Sequence, residues 1–287
     1  MQIAFLNNRF ISLNKARVPI LDRGFLYGDG VFETMRAYKG VVFRLEKHMN
    51  RLFRSLKLFE LVPKMSKKKM QYMIYELLKK SRLKSAYIKV MVTRGISKGL
   101  LAPKRITAPT VAAYALTYRA PKKSIYGEGY KVLISRSSIN EDSAVAGHKT
   151  LNYLQNILCR NEAEKRGFDD ALLVNMKGYI SESTSSNLFL IKRKKIYTPT
   201  LECGILPGIT REEVIRIARF SGYSVCESPI REKALYDADE IFLTNSLTEI
   251  VPVVKVNDRV IADGKPGTDT KALMDLFKES VNEYCKR

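Results

Sequence analysis

Residues 146–154 read Ala-Gly-His-Lys-Thr-Leu-Asn-Tyr-Leu, and residues 178–189 read Gly-Tyr-Ile-Ser-Glu-Ser-Thr-Ser-Ser-Asn-Leu-Phe. The first stretch sets Lys149 just ahead of a helix, with Asn152 and Tyr153 three and four residues on. The second sets Glu182 at a strand end, followed by small polar residues. A third, Gly204-Ile205-Leu206-Pro207-Gly208-Ile209-Thr210-Arg211, leads into another helix. A helix start of that kind offers backbone N–H groups to a phosphate. Taken singly, each stretch is weak. A lysine is far more often a surface residue than a site residue, and Glu182 also reads as a plain hairpin residue.

Working outward, the chain alternates between strand and helix patterns. Ile3–Leu6 and Arg9–Ser12 are strand-like, and a Gly-punctuated stretch over 22–30 precedes a strand at Val31–Tyr38. Leu45, His48, Met49, Leu52, Phe53 and Leu56 recur at three and four, which predicts an amphipathic helix over 44–59. Ser66 can cap a second helix with Met70, Met73, Ile74, Leu77 and Leu78 on its apolar face. Tyr87–Thr93 and Thr110–Thr117 are β-rich. The Pro, Gly and Lys of residues 118–129 are linker chemistry. Beyond it, Leu151–Arg166 reads as a helix ended by Gly167. Ala171–Val174 with Tyr179–Glu182, and Leu188–Ile191 with Lys195–Thr198, read as strand pairs. A helix over 210–221, strands at Glu240–Thr244 and Val251–Val256, and a closing helix around Leu273, Leu276, Phe277, Val281 and Tyr284 follow. The expectation is α/β: a mixed α/β domain over 1–117, a linker over 118–129 and a second α/β domain over 130–287.

Length and composition agree. At roughly 150 residues per domain, 287 residues favour two domains, and 45% hydrophobic with 28% charged residues is ordinary globular composition. No apolar run reaches the ~18 residues of a membrane span. The N-terminus lacks a basic segment followed by an apolar one, so no signal peptide is expected. Cys159, Cys203, Cys226 and Cys285 lie far apart with no CxxC pair, which argues against a disulfide framework and for a reducing cytoplasm. The net charge of +21 raises nucleic acid as a partner. The lysines are scattered, however. The densest runs, Lys67-Lys68-Lys69 and Lys192-Arg193-Lys194-Lys195, fall at a helix start and a strand turn. A solvated basic surface is the expectation, with no specific nucleic-acid binding.

The familiar catalytic motifs are missing. There are two histidines, His48 and His148, and no HExxH, so no metal site is expected. His48 lies on the apolar side of its helix and reads as a core residue. No GxGxxG follows a strand, there is no GxxxxGK[ST], and Gly28-Asp29-Gly30 reads as a turn. Lysine chemistry remains. A Schiff-base lysine, a phenol, a carboxylate and a phosphate-seating helix start together are what pyridoxal phosphate requires.

With these residues in view, the chain resembles the class IV, or fold-type IV, pyridoxal-phosphate enzymes. They include branched-chain aminotransferases, D-amino acid aminotransferases and aminodeoxychorismate lyases. The resemblance runs nearly end to end, through DRGFLYGDGVFETMRAYKG, HMNRL, YIKVMVTRG, HKTLNYL, ISESTSSNLF, ILPGITR and ADEIFLTNSLTEIVPV. It implies that Lys149 is the Schiff-base lysine and moves the Cα proton. It implies that Glu182 pairs with the pyridine nitrogen, keeping it protonated so that the ring absorbs carbanion charge. Tyr153 would bond the ring oxygen. Arg51, Ile209, Thr210, Ser246 and Leu247 would hold the phosphate. The resemblance also implies a homodimer acting on an amino acid and a keto acid.

On the substrate side the resemblance places Tyr27, Phe32, Tyr87, Lys89, Arg94 and Thr248 in the pocket. Branched-chain enzymes typically read Phe-Glu-Gly-Ile-Arg where this chain has Phe32-Glu33-Thr34-Met35-Arg36, carry arginine at the Lys89 position, and have Gly-Thr-Ala-Ala-Glu at 245–249. Val92-Thr93-Arg94-Gly95 looks like the D-amino acid enzymes, whose arginine holds the substrate carboxylate. Phe-Glu-Thr, Lys89 and Thr-Asn-Ser-Leu look like the lyases. Two activities follow: a transaminase acting on branched-chain or D-amino acids, or a lyase forming 4-aminobenzoate and pyruvate.

Overall fold

Strands β1 (Ile3–Leu6) and β2 (Arg9–Ser12), the short helix α1 (Arg23–Tyr27), strands β3 (Gly30–Tyr38) and β4 (Val41–Val42), helices α2 (Leu45–Leu58) and α3 (Lys67–Ser81), and strands β5 (Ala86–Thr93) and β6 (Thr110–Thr117) build the first unit. The computed structural model describes residues 2–97, 101–102 and 108–286. The six strands form one antiparallel sheet in the order β2-β1-β6-β5-β3-β4. Period-2 alternation gives the sheet two faces. Ala86, Ile88, Val90 and Val92 of β5 face the core with Val31 and Met35 of β3. Leu45, Met49, Leu52 and Leu56 of α2 and Met70, Met73, Ile74, Leu77 and Leu78 of α3 close that core, as the helical spacing predicts. Ser66 caps α3 by accepting the Lys69 N–H at 3.3 Å. The other face carries Phe32, Thr34, Tyr87, Lys89 and Met91, in the register Phe32↔Met91, Thr34↔Lys89, Arg36↔Tyr87.

The second unit comprises α4 (Ser124–Gly127), β7 (Tyr130–Ile139), α5 (Leu154–Lys165), β8 (Asp170–Asn175), β9 (Ile180–Ser183), β10 (Asn187–Lys192), β11 (Lys195–Thr198), α6 (Ile209–Phe220), β12 (Ser224–Glu227), α7 (Glu232–Tyr236), β13 (Glu240–Asn245), β14 (Glu249–Val256), β15 (Arg259–Val260) and α8 (Thr268–Tyr284). Its mixed sheet runs β12-β11-β10-β13-β14-β7-β8-β9, with β15 paired to β14. Leu133, Ala171 and Leu173 pack on Cys159 and Ala163 of α5 on one face, while Val132, Leu172, Leu188 and Ile241 line the core of the other. The Lys192–Lys195 run is indeed a hairpin turn, with Arg193 and Lys194 at positive φ. Among the described residues, no helix is long and apolar enough to cross a membrane.

The structure differs from the sequence reading in two informative places. Residues 118–129 contain α4 rather than a bare linker. And α5 begins at Leu154, not Leu151. Thr150 instead forms an antiparallel bridge to Val31, because the backbone on either side of it bonds to the first residues of β3. The Phe32 N–H donates to the Lys149 carbonyl at 2.8 Å, and the Leu151 N–H donates to the Gly30 carbonyl at 3.0 Å. Residues His148–Asn152 therefore belong to the first unit, with the chain up to Arg119, while Ala120–Gly147 and Tyr153–Lys286 form the second. Gly30 makes this approach possible. A Cβ there would stand 2.7 Å from the Val92 carbonyl oxygen and 2.8 Å from Leu151 Cδ1.

Candidate active site

In the first unit, the stitching of residue 149 to β3 sets the Lys149 ammonium 4.6 Å from the centroid of the Phe32 ring. Lys89 stands 4.5 Å from the same ring. Two ammonium groups thus share one aromatic ring, a cation–π arrangement that only partly offsets their repulsion. Burial lowers the Lys89 pKa, and the charge of Lys149 lowers it further. Lys89 has no ion pair among the described residues. A half-buried ammonium in that position favours an incoming anion. Tyr87 follows on the same strand face. Burial raises its phenol pKa, and its hydrogen bond with Tyr114 adds to that.

Behind Phe32 lies a feature the sequence reading missed. Glu33 is 0% exposed in the middle of β3. Its carboxylate accepts from Arg51 Nε at 2.7 Å, from Arg51 Nη2 at 2.8 Å and from His48 Nδ1 at 2.8 Å. Burial drives the Glu33 carboxyl up, but the charge and hydrogen bonds of Arg51, with help from His48, bring it to about 2. Burial pushes the His48 pKa down, against the opposing pull of the Glu33 carboxylate. His48 is a core residue, as its helix position predicts, but a hydrogen-bonded one. A glutamate inside an apolar strand was the available signal, since a buried carboxylate requires a cation. His148, next to Lys149, meets Ser55 Oγ at 2.8 Å and Phe59 edge-on.

Two further predicted residues stand apart from this cluster. Arg94 donates Nε to Asp29 at 2.8 Å and Nη2 to the Phe59 carbonyl at 3.0 Å. Asp29 also accepts from Arg23 at 2.7 Å. The guanidinium expected to take a substrate carboxylate is thus engaged by a carboxylate of its own unit. Tyr27 ends α1, with the Arg23 guanidinium 5.0 Å over its ring.

In the second unit, Glu182 lies on β9 and Tyr153 stands at the N-cap of α5. Asn156 of α5 donates to the Thr184 carbonyl at 2.9 Å, which ties that helix to the turn after Glu182. Ile209 and Thr210 are the buried first residues of α6, whose N-cap is Gly208 and which has no side-chain cap. Its first N–H groups are therefore available to an anion. Arg211 does not compete for that anion, because its Nη2 donates to Glu227 at 2.9 Å and to the Pro199 carbonyl at 2.8 Å. Ser246, Leu247 and Thr248 form the turn between β13 and β14. Asn245 Oδ1 accepts the N–H groups of Leu247 and Thr248, each at 2.8 Å, and Asn245 Nδ2 donates to Ser186 Oγ at 2.8 Å. The Leu247 N–H is thus used inside the turn, while Ser246 is outside that bonding. Thr244, opposite Asn187 in the sheet, has a buried Oγ1 with no hydrogen-bond partner among the described residues.

In the first unit a lysine beside an aromatic ring and a buried arginine, and in the second a fixed carboxylate, an uncapped helix start and a hydroxyl with no hydrogen-bond partner among the described residues, are each of the donor chemistry that pyridoxal phosphate takes. The family model described as amino-transferase class IV matches residues 30–256. A relative in Methanocaldococcus jannaschii named "Putative branched-chain-amino-acid aminotransferase" is 38% identical over 277 residues, covering 96% of this chain and 95% of its own. The aminodeoxychorismate lyase of Bacillus subtilis is 32% identical, covering 96% and 94%. A branched-chain amino acid aminotransferase from T.th., solved with pyridoxamine 5′-phosphate, superposes with a TM-score of 0.94 at 28% identity, covering 98% and 94%. The chain belongs to the class IV aminotransferases. It is a pyridoxal-phosphate-dependent enzyme of that fold, and amino-group transfer is its class of chemistry.

Proposed function

We propose that the protein is a transaminase moving an amino group between a branched-chain amino acid and a 2-keto acid, with an acidic amino acid as one of its substrates. The observation that carries this reading is the Lys149–Phe32–Lys89 cluster, two ammonium groups on one ring with Lys89 outside any ion pair among the described residues. Bound pyridoxal phosphate supplies an electron-withdrawing ring that makes the Cα–H of an amino acid acidic. Lys149 Nζ is the covalent anchor of the cofactor and the group that takes and returns the Cα proton. Glu182 holds a proton on the ring nitrogen. Tyr153 bonds the ring oxygen, and Arg51, the N–H groups of Ile209 and Thr210, and Ser246 hold the phosphate. Phe32, Tyr87, Tyr27 and Thr248 shape the pocket, and Lys89 binds a side-chain carboxylate of the substrate. The 38% identity to the Methanocaldococcus jannaschii relative favours the branched-chain class.

One observation favours a second reading, an aminodeoxychorismate lyase. Thr34 stands opposite Lys89 in the β3–β5 register, a hydroxyl and an ammonium where branched-chain enzymes typically have glycine and arginine. The deciding experiment supplies the loaded enzyme with leucine, valine or D-alanine plus 2-oxoglutarate, and separately with aminodeoxychorismate. Glutamate formed from leucine supports the proposal. Formation of 4-aminobenzoate without amino transfer replaces it with the second reading. A homodimer in the cytoplasm is also proposed. Ile20 and Phe25 in the first unit, and Leu154 and Leu158 in the second, are between 60% and 73% exposed, which favours a covering partner surface. All four cysteines are free.

A further inference from the structure

Asn187, the first residue of β10, is 4% exposed. Its amide nitrogen donates to two acceptors, Glu182 Oε2 at 2.9 Å and the Leu206 carbonyl at 2.9 Å. The turn that brings it there is itself bonded, since the Ser183 N–H donates to the Ser186 carbonyl and the Ser186 N–H donates to Ser183 Oγ. A primary amide has two N–H donors, and here one goes to each acceptor. On its other side the amide lies against Gly208. A Cβ built on Gly208 would sit 1.9 Å from Asn187 Oδ1. Gly208 has φ −69°, which any residue adopts, so glycine is required there for space rather than for backbone freedom.

One amide thus touches the carboxylate of β9 and the chain that enters α6. We propose that Asn187 is a positioning residue for the cofactor. It fixes the plane of the Glu182 carboxylate and holds the Leu206–Gly208 approach to α6 in the same rigid frame. This rests on the reading of Glu182 as the partner of the ring nitrogen and of the α6 start as a phosphate seat. The two points that grip opposite ends of the cofactor are then set by a single side chain. Aspartate at 187 would have the same shape but no donor, and would turn a carboxylate oxygen toward Glu182 and the Leu206 carbonyl.

The test uses the full-length protein stripped of cofactor and titrated with pyridoxal phosphate, read by the visible band, alongside transamination kinetics at saturating cofactor. Asn187→Asp should raise the Kd for pyridoxal phosphate at least tenfold and lower kcat with little change in KM. Glu182→Gln/Asn187→Asp reverses donor and acceptor, because glutamine can donate to the new carboxylate. It should recover part of the cofactor affinity lost in Asn187→Asp while leaving kcat low. Gly208→Ala, which pushes the Asn187 amide aside without replacing Asn187 or Glu182, should also weaken cofactor binding and guards against a folding failure in Asn187→Asp. The proposal is overturned if Asn187→Asp or a folded Gly208→Ala binds the cofactor as the wild type does, or if the double variant shows the simple product of the single losses. A wild-type kcat in Glu182→Gln alone would instead overturn the reading of Glu182 on which the proposal rests.

Discussion

Replacing Glu33 by glutamine keeps the shape of the side chain and removes its charge. In the wild type the Glu33 carboxyl lies at about 2 rather than the ordinary 4.5. At about 1.36 kcal/mol per pKa unit, that difference corresponds to about 3 kcal/mol of stability at neutral pH. An independent route gives a similar figure. Removing one partner of a buried ion pair typically costs ~3–5 kcal/mol, and Arg51, 7% exposed, would lose the carboxylate to which its Nε and Nη2 donate. The sign of the pH dependence follows from a depressed folded-state pKa. The stabilisation is complete above the unfolded-state value and is lost as pH falls from about 4 toward 2. Urea unfolding followed by circular dichroism should show Glu33→Gln unfolding at clearly lower urea at pH 7. The gap should hold down to about pH 5 and narrow below pH ~4. The variant should also bind pyridoxal phosphate more weakly, because Arg51 loses the carboxylate that aims it. Equal urea midpoints for the two proteins at pH 7 would refute the reasoning, for then Glu33 does not neutralise Arg51 in the folded protein.

Lys149→Ala should abolish amino transfer and the visible absorbance of the loaded protein while leaving the circular dichroism spectrum intact; turnover near the wild-type rate would remove Lys149 from its role. Lys89→Met should raise KM for glutamate by an amount worth ~1.5–3 kcal/mol, the range for a charge-assisted hydrogen bond, and leave KM for leucine nearly unchanged. Because burial holds the Lys89 pKa below that of an ordinary lysine, KM for glutamate in the wild type should climb with pH sooner than an ordinary lysine would cause. Equal changes for both substrates would place Lys89 outside the pocket. Arg94→Met should lower the thermal midpoint by stranding Asp29 with Arg23 alone, and should alter KM little; a selective rise in KM for every substrate carboxylate would return Arg94 to substrate binding. Sedimentation should find a dimer, and Phe25→Asp with Leu158→Asp should dissociate it; a fully active wild-type monomer at low concentration would contradict the assembly.

The sequence by itself determined the alternation of helix and strand, because period-2 and period-3.6 burial are written in single residues. Ala86 to Thr93 alternate as β5 does, and Met70 to Leu78 fall on the buried face of α3. It also determined the family, since ordered motifs survive as short local strings, and it singled out Lys149, Glu182 and the start of α6. Only the tertiary structure decided which partners those residues have. The pairing of Lys149 with β3, 117 positions away, overrode the helical reading of residues 151–153. Arg94, expected at a substrate carboxylate, and Leu247, expected at the phosphate, have a guanidinium and an N–H engaged within their own units by Asp29 and Asn245. Glu33 and Asn187 went unnoticed because a linear string, though it sets a glutamate inside an apolar strand, shows neither that Arg51 meets it nor that an asparagine amide bridges Glu182 and Leu206. Such roles depend on hydrogen bonds between segments far apart in sequence or brought round by a turn, and on the removal of water that makes each unpaired polar group costly. Local propensity carries neither.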